Sequence, residues 1–219
     1  MLAKLLITNG IIPIKTSDTG QEALSLMSEL NLAHYPIVNN EQLLGLISEE
    51  DIIGNNIEEA IGSYSLSLSK AFAKESDHLF EVLGLLGESN LTIIPVVDNE
   101  DNYLGIITQH DLLNYFADSG SFTETGSIMV LEIPKRDYSM SEISQIVESE
   151  GGVILSSFIN TNLDESLVDV TLKINMYNIT AIIANFERYS YKIKYALQEE
   201  GTFDAAKERY DSLLSYLNV

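Results

Sequence analysis

Residues 92–113 read TIIPVVDNEDNYLGIITQHDLL, and residues 34–53 read HYPIVNNEQLLGLISEEDII. A proline, a glycine and an aspartate recur in the same order, namely Pro36, Gly45 and Asp51 against Pro95, Gly105 and Asp111. A hydroxyl residue stands three positions before each aspartate, Ser48 in the first copy and Thr108 in the second. Because this order is kept over the whole stretch, the sequence indicates an internal duplication.

Each copy predicts the same series of elements. Apolar residues at helical spacing predict a helix over 20–31, and short apolar runs separated by a polar turn predict strands over 36–38 and 43–47. The hydroxyl and the acid three residues later then form a capping box that begins a second helix. The second copy predicts a helix over 77–88, strands over 93–97 and 103–107, and a helix after Thr108, while short leading strands are expected near 11–15 and 70–74. The pattern is therefore two βαββα units.

These residues carry a resemblance to a tandem pair of CBS domains, the regulatory modules named after cystathionine β-synthase. The resemblance covers about residues 1–118, with units of about 1–60 and 61–118. It implies that the two units pack through their sheets and leave clefts between them. It also implies that an adenosine-containing molecule such as AMP, ATP or S-adenosylmethionine binds there as a regulatory ligand, with no further cofactor.

The resemblance also implies which residues meet that ligand. The hydroxyl of each motif would contact phosphate, its aspartate would accept hydrogen bonds from the ribose, and neighbouring residues would line the base and ribose pockets. The expected residues are Thr108, Asp111, Ile93, Ile94, Pro95, Phe72, Ser48, Asp51, His34, Tyr35 and Pro13. A helix N-terminus favours an anion by its free amides and dipole. The same hydroxyls and carboxylates also cap helices, which contributes ~1 kcal/mol each, and the two roles are compatible.

The two motifs differ in charge. Glu49 and Glu50 stand beside Asp51, whereas neutral Gln109 and His110 stand beside Asp111. A unit charge ~4 Å from a phosphate costs roughly 1–4 kcal/mol at effective dielectrics of 80 to 20. We therefore expect the ligand at the second motif, and we expect the first to be empty or to hold a divalent cation.

Positive charge is scarce in residues 1–118, which hold 4 Lys or Arg against 18 Asp or Glu. A triphosphate would lack its usual counter-charges, so the sequence favours a monophosphate, a nucleoside or a sulfonium. The acidic run DNEDN at 98–102 lacks the glycine of a calcium loop, and we predict no metal site there.

The second half predicts a different domain. A small, polar stretch at 119–126 is expected to be a linker. Beyond it the pattern predicts strands over 128–133, 153–160, 167–175 and 189–197 and helices over 140–150 and 179–188. This order is the split βαβ of ferredoxin-like domains, so the whole chain is predicted to be α/β. An amphipathic helix is expected over 203–217, at the end of a domain that spans 127–219.

The second domain resembles an ACT domain, and the combination with a CBS pair is similar to the acetoin-utilisation accessory proteins. The resemblance implies a regulatory domain that dimerises through its sheet. The amino-acid-binding members usually carry a glycine after the first strand, but this loop reads IPKRDYSMSE. The sequence thus favours a dimerising or signalling role over amino-acid binding.

Bulk composition excludes several functions. A net charge of −21 over 219 residues repels nucleic acid and anionic lipid. With no Cys there is no disulfide or thiolate site, which fits the cytoplasm, and no apolar run approaches the ~18 residues of a membrane helix. The three His share no ligand spacing, and no nucleophile–base set or phosphate loop occurs, so we expect no enzyme.

We expect instead a ligand-sensing homodimer whose downstream protein target the sequence does not name. Two alternatives stay open, a structural or interaction protein with empty clefts and a sensor of divalent cations.

Overall fold

The structure is a computed structural model that describes residues 1–8, 10–64, 68–161 and 166–198. Its internal contacts divide the chain into two compact units, Met1–Phe116 and Ala117–Val219. The helix expected over 203–217 lies outside the described residues, as does most of the polar turn after residue 161.

The first unit contains the two repeats. The first repeat consists of α1 (Gly20–Leu30), β1 (His34–Asn39), β2 (Gln42–Ser48) and α2 (Glu49–Ile53). The second consists of β3 (Ala73–Lys74), α3 (Leu79–Ser89), β4 (Ile93–Val97), β5 (Tyr103–Thr108) and α4 (Gln109–Ala117). The predicted order of elements is therefore confirmed.

The first helix of each repeat begins and ends in the same way. Thr19 accepts a hydrogen bond from the Glu22 amide and closes a capping box at α1. His78 Nδ1 accepts a hydrogen bond from the Phe80 amide at the start of α3. Each helix is followed by an asparagine in the left-handed conformation, Asn31 and Asn90. Asparagine tolerates this conformation better than most residues, which explains why both helices end there.

The strands of each repeat form an antiparallel pair, β1 with β2 and β4 with β5. Both pairs carry an irregularity in register at equivalent points, after Ile37 and after Val96. The leading strands are shorter than predicted: the first is a single bridge from Ile14 to Ile37, and the second is the two-residue β3 beside β4.

The segment ahead of each repeat pairs with the other repeat. Thr8 bridges to Ile106 in β5, and Ser69 bridges to Leu46 in β2. Gly105 has φ +155°, and a Cβ there would overlap the Ile7 side chain, so the close approach of these segments requires glycine. The two repeats consequently share one hydrophobic core, with Ile14, Ile47, Ile93 and Ile107 among its fully buried residues.

The second unit has the predicted ferredoxin-like topology. Its elements are α5 (Gly120–Thr123), β6 (Ser127–Pro134), α6 (Met140–Ser149), β7 (Ile154–Thr161), β8 (Leu167–Ile174), α7 (Thr180–Arg188) and β9 (Lys192–Leu197). The strands pair antiparallel in the order β7-β8-β6-β9. The helix α5 stands where we expected a linker, and its Ser121 hydroxyl donates to the Leu155 carbonyl at 2.9 Å.

One face of this sheet forms the core of the second unit. Alternate side chains of β6 and β8 are buried there, including Met129, Leu131, Val170 and Leu172. They belong to one cluster with side chains of α6 and α7, such as Val147 and Phe186. This alternation confirms the period-two pattern from which the strand over 167–175 was predicted.

Within the described part of the chain, no helix is both long enough and apolar enough to cross a membrane.

Candidate ligand-binding cleft

Thr108 and Asp111 form a reciprocal cap where β5 meets α4. The Asp111 amide donates to Thr108 Oγ1 at 3.0 Å, and the Thr108 amide donates to Asp111 Oδ2 at 3.1 Å. The Thr108 hydroxyl donates to the same Oδ2 at 2.5 Å. The predicted capping role of this motif is therefore confirmed.

Asp111 has a further partner from a distant part of the sequence. The Thr8 hydroxyl donates to Asp111 Oδ2, across 103 positions of the chain. Burial would raise the pKa of the Asp111 carboxyl, but the hydrogen bonds from the Thr108 hydroxyl, the Thr8 hydroxyl and the Thr108 amide hold this pKa below its usual value. Asp111 is therefore a carboxylate near neutral pH.

A cavity of about 530 Å³ opens beside these residues. It is lined by Thr8, Ile11, Leu30, Asn31, Leu32, Thr92, Thr108, Gln109, His110 and Asp111. The cavity is thus formed by both repeats, with the second motif at one end. Its volume lies in the range of small-molecule sites, about 300–1,000 Å³.

The charge of this cavity limits what it can hold. None of the described residues that line it is Lys or Arg, and Asp111 supplies a negative charge. Its neutral polar groups include the side-chain amides of Asn31 and Gln109 and the hydroxyls of three threonines, Thr8, Thr92 and Thr108. Such a lining suits a neutral or cationic polar molecule better than a polyanion.

The other predicted residues of the second motif are not among the described residues that line this cavity. Ile93 and Ile94 are fully buried inside β4 together with Pro95, and the neighbouring Thr92 is the residue that faces the cavity. Phe72 precedes β3 and is 38% exposed. The centroid of its ring lies 5.6 Å from Lys74 Nζ.

The predicted base-pocket residues of the first repeat are divided between the core and the boundary of the repeats. Tyr35 is 1% exposed, and its hydroxyl donates to the Ile12 carbonyl at 3.2 Å. His34 Nδ1 lies 3.2 Å from the Thr92 hydroxyl and accepts from the Thr92 amide at 3.3 Å. Pro13 is half-buried and is absent from the lining of the cavity. His34 therefore borders the cleft only through Thr92.

The first motif has the same local cap as the second. The Ser48 amide and hydroxyl donate to Asp51 Oδ2 at 3.0 and 2.7 Å, and the Asp51 amide donates back at 3.1 Å. Glu49 and Glu50 are exposed beside it. No group of three or more potential metal ligands within the described ranges is arranged to hold a metal ion.

Sequence reasoning missed the contribution of the first repeat to the cleft. Thr8 precedes every predicted element, Ile11 begins the strand expected near 11–15, and Asn31 ends the helix expected over 20–31. No local pattern marks these three residues as ligand contacts. The one available signal was the duplication itself, because a pair of related units places the segment before one unit against the other.

A second cavity, of about 470 Å³, lies in the ferredoxin-like unit. Its polar groups bond to one another: Lys192 donates to Glu132, and the Tyr191 hydroxyl donates to Glu142 at 2.9 Å. Burial and that carboxylate raise the pKa of Tyr191 to about 12.

The model of the CBS domain family matches residues 3–57 and 69–118. The inosine-5′-monophosphate dehydrogenase of Methanocaldococcus jannaschii is 30% identical over 110 residues, which are 49% of this chain and 22% of that protein. An uncharacterised protein of the same organism is 24% identical over 108 residues, which are 49% of this chain and 41% of that protein.

The chain thus spans less than half of the length of either relative. Among solved structures, it is similar to a CBS domain pair/ACT domain protein from Thermotoga maritima, with a TM-score of 0.49 and 24% identity. That match covers 54% of this chain and 98% of the other. The segments that match the model of the CBS domain family, residues 3–57 and 69–118, coincide with the two repeats of the first unit. The amino-terminal half of this chain is therefore a tandem pair of CBS domains.

Proposed function

We propose that this protein is a regulatory ligand sensor that binds an adenosine-containing metabolite of low charge in the cleft at Thr108 and Asp111. The observation that carries the proposal is the 530 Å³ cavity that has the Asp111 carboxylate on its wall. A carboxylate that is ionised at neutral pH accepts hydrogen bonds from a ribose diol. CBS pairs are regulatory modules that commonly bind adenosine ligands, which supports this class of ligand.

The lining supports a nucleoside, a monophosphate or a sulfonium such as S-adenosylmethionine over ATP. A triphosphate would enter a cavity whose described lining contains a carboxylate and no Lys or Arg. His110 is exposed at the start of α4, where it lines the cavity beside Asp111. A single phosphate at the N-terminus of α4 is therefore acceptable, whereas three phosphates are disfavoured.

The test is thermal unfolding with adenosine, AMP, ADP, ATP, S-adenosylmethionine or Mg²⁺. A ligand at 100 times its dissociation constant should stabilise the wild type by about 2.7 kcal/mol. Asp111→Asn should lose this shift, and the matched variant Asp51→Asn should keep it, because both aspartates make the same local cap. A shift that survives Asp111→Asn would place the ligand elsewhere.

The same experiment separates the alternatives. No shift with any of these compounds would favour a structural or interaction protein with empty clefts. A shift with Mg²⁺ that Asp51→Asn abolishes would favour the divalent-cation sensor at residues 49–51.

We also propose that the protein is a homodimer, formed either through the CBS pair or through the ACT-like domain. Phe80 in α3 is 68% exposed, and Leu113 in α4 is 67% exposed. Leu113 also lines a largely apolar groove of about 410 Å³ between these two helices. In the second unit, Phe158 and Tyr195 are also exposed on the sheet. Exposed apolar patches of this kind are typical of association surfaces.

Sedimentation of three variants tests the dimer and its surface. Leu113→Glu should yield monomers if α3 and α4 form the interface, and Tyr195→Glu should do so if the sheet of the ACT-like domain forms it. Leu104→Glu, at another exposed leucine, is the control and should sediment as the wild type. A wild type that sediments as a monomer at all concentrations would contradict the homodimer.

A further inference from the structure

The amino-terminal segment forms backbone hydrogen bonds with the second repeat, although it precedes the first repeat in the sequence. The Ala3 amide donates to the Asp77 carbonyl at 2.9 Å, and the Lys4 amide donates to the Glu75 carbonyl at 3.2 Å. The Thr8 amide donates to the Ile106 carbonyl at 2.8 Å. We call residues 1–8 the strap, because they lie along the second repeat.

The only side-chain hydrogen bond from Thr8 within the described residues ends on the candidate ligand site. Its hydroxyl donates to Asp111 Oδ2, which already accepts the amide and the hydroxyl of Thr108. Among the described residues, no hydrogen bond reaches the other oxygen, Asp111 Oδ1. One oxygen of the carboxylate therefore has three donors, and the other has none among the described residues.

The bond from Thr8 is a property of the second motif and not of the fold. The bridges of Thr8 to Ile106 and of Ser69 to Leu46 make Ser69 the counterpart of Thr8. Within the described ranges, Ser69 donates no hydrogen bond to Asp51, yet its segment pairs with β2 at a comparable distance, 2.9 Å between the Leu46 amide and the Ser69 carbonyl. The strand pairing therefore forms without a hydroxyl on the carboxylate.

A ligand in the cleft would compete with Thr8. Both Thr8 and Asp111 line the cavity, and a ribose diol needs two acceptor positions on the carboxylate. Oδ1 accepts no hydrogen bond from the described residues, but Oδ2 has three donors, so a second ligand hydroxyl must replace one of them. Thr108 is held by its own backbone contact with Asp111, whereas Thr8 belongs to a separate segment, and its hydroxyl is the donor most easily replaced.

We propose that the Thr8 hydroxyl is a latch, meaning that its hydrogen bond to Asp111 holds the strap against the second repeat. A hydroxyl of the ligand takes the place of the Thr8 hydroxyl on Asp111, so that ligand binding in the cleft loosens the strap from the second repeat. The replacement by a ligand rests on the proposed function, whereas the latch itself does not. The strap then reports the state of the cleft to whatever contacts the amino-terminal segment.

Amide hydrogen exchange of the full chain without ligand tests the latch. Thr8→Val keeps the branched shape and removes the donor, and it should speed exchange of the Ala3, Lys4 and Thr8 amides about tenfold, because the strap opens more often. Thr8→Ser and the matched control Ser69→Ala should exchange as the wild type does. Unchanged exchange in Thr8→Val would overturn the latch. Should Thr8→Val fail to fold, Thr8→Ala supplies the same readout with less steric demand.

Calorimetric titration with adenosine tests the replacement. Thr8→Val should bind adenosine about tenfold more tightly than the wild type, since the ligand no longer displaces a donor. Weaker binding would make Thr8 a direct ligand contact and overturn the replacement. Absence of adenosine binding in the wild type would reject adenosine as a ligand of the cleft, while the exchange of Thr8→Val would still decide whether the latch exists.

Discussion

His34 lies where the two repeats meet, and its environment makes it sensitive to acid. Burial lowers the pKa of its imidazole below the usual value, although the charges of Asp51 and Glu50 oppose the shift. Nδ1 accepts hydrogen bonds from Thr92, so the proton of the neutral ring is on Nε2. Protonation at Nδ1 would remove the acceptor and break this contact between the repeats.

The sign of the pH effect follows from the lowered pKa. His34 stays neutral in the folded state at a pH where the unfolded chain already binds the proton. Its contribution to the free energy of unfolding is therefore complete above about pH 6.5 and is lost as the pH falls through the folded pKa. The free energy of unfolding of His34→Gln should fall less than that of the wild type when the pH is lowered from about 7.5 to about 5.5. Urea unfolding at the two pH values measures this difference.

His110→Gln is the control for this prediction, because His110 is exposed on α4. It should retain the pH dependence of the wild type. An equal pH dependence in wild type and His34→Gln would show that other groups cause the acid sensitivity.

At the scale of elements, hydrophobic spacing predicted most helices and strands to within about three residues. The deviations have local causes. The last strand begins at Lys192 and not at 189, because the Tyr191 amide bonds back to the Phe186 carbonyl at 3.0 Å and Ser190 has φ +64°. Residues 189–191 therefore complete the end of α7 and cannot extend a strand.

Two glycines of the second repeat should respond oppositely to alanine. At Gly105 the backbone has φ +155° and an added Cβ would overlap Ile7, so Gly105→Ala should destabilise the protein by roughly 1–3 kcal/mol. Gly87 lies within α3, and a Cβ there meets nothing within 4 Å. Gly87→Ala should stabilise the protein by about 0.5–1 kcal/mol through helix propensity.

Denaturant unfolding of the two variants checks this pair of predictions. Equal effects of both substitutions would mean that the contact between the strap and β5 does not depend on glycine. A destabilising Gly87→Ala would contradict the open space beside this residue of α3.

At the scale of the whole molecule, each unit has a hydrophobic cluster of its own. We propose that residues 1–118 and 127–219 are separate domains, joined by the segment 119–126 that contains α5. A domain with its own core is expected to fold without the other. A chain of residues 1–118 alone should therefore unfold cooperatively.

Circular dichroism during urea unfolding of this fragment checks the prediction. The urea midpoint of the fragment should lie close to the midpoint of one unfolding transition of the full chain. The fragment carries a net charge of −14 from its 4 basic and 18 acidic residues, so added salt should stabilise it by screening self-repulsion. A fragment without a cooperative transition at any salt concentration would show that the second unit is needed for folding.

The sequence by itself determined the duplication, the order of the main helices and strands in both units and the reciprocal caps at Ser48–Asp51 and Thr108–Asp111. These features are local, because they depend on apolar spacing and on side chains three residues apart. Only the tertiary structure decided which segments form the cleft, since the partners of Asp111 include Thr8, 103 positions away. Strand pairing between the repeats places that hydroxyl on the carboxylate, and such long-range pairing leaves no periodic signal in the sequence.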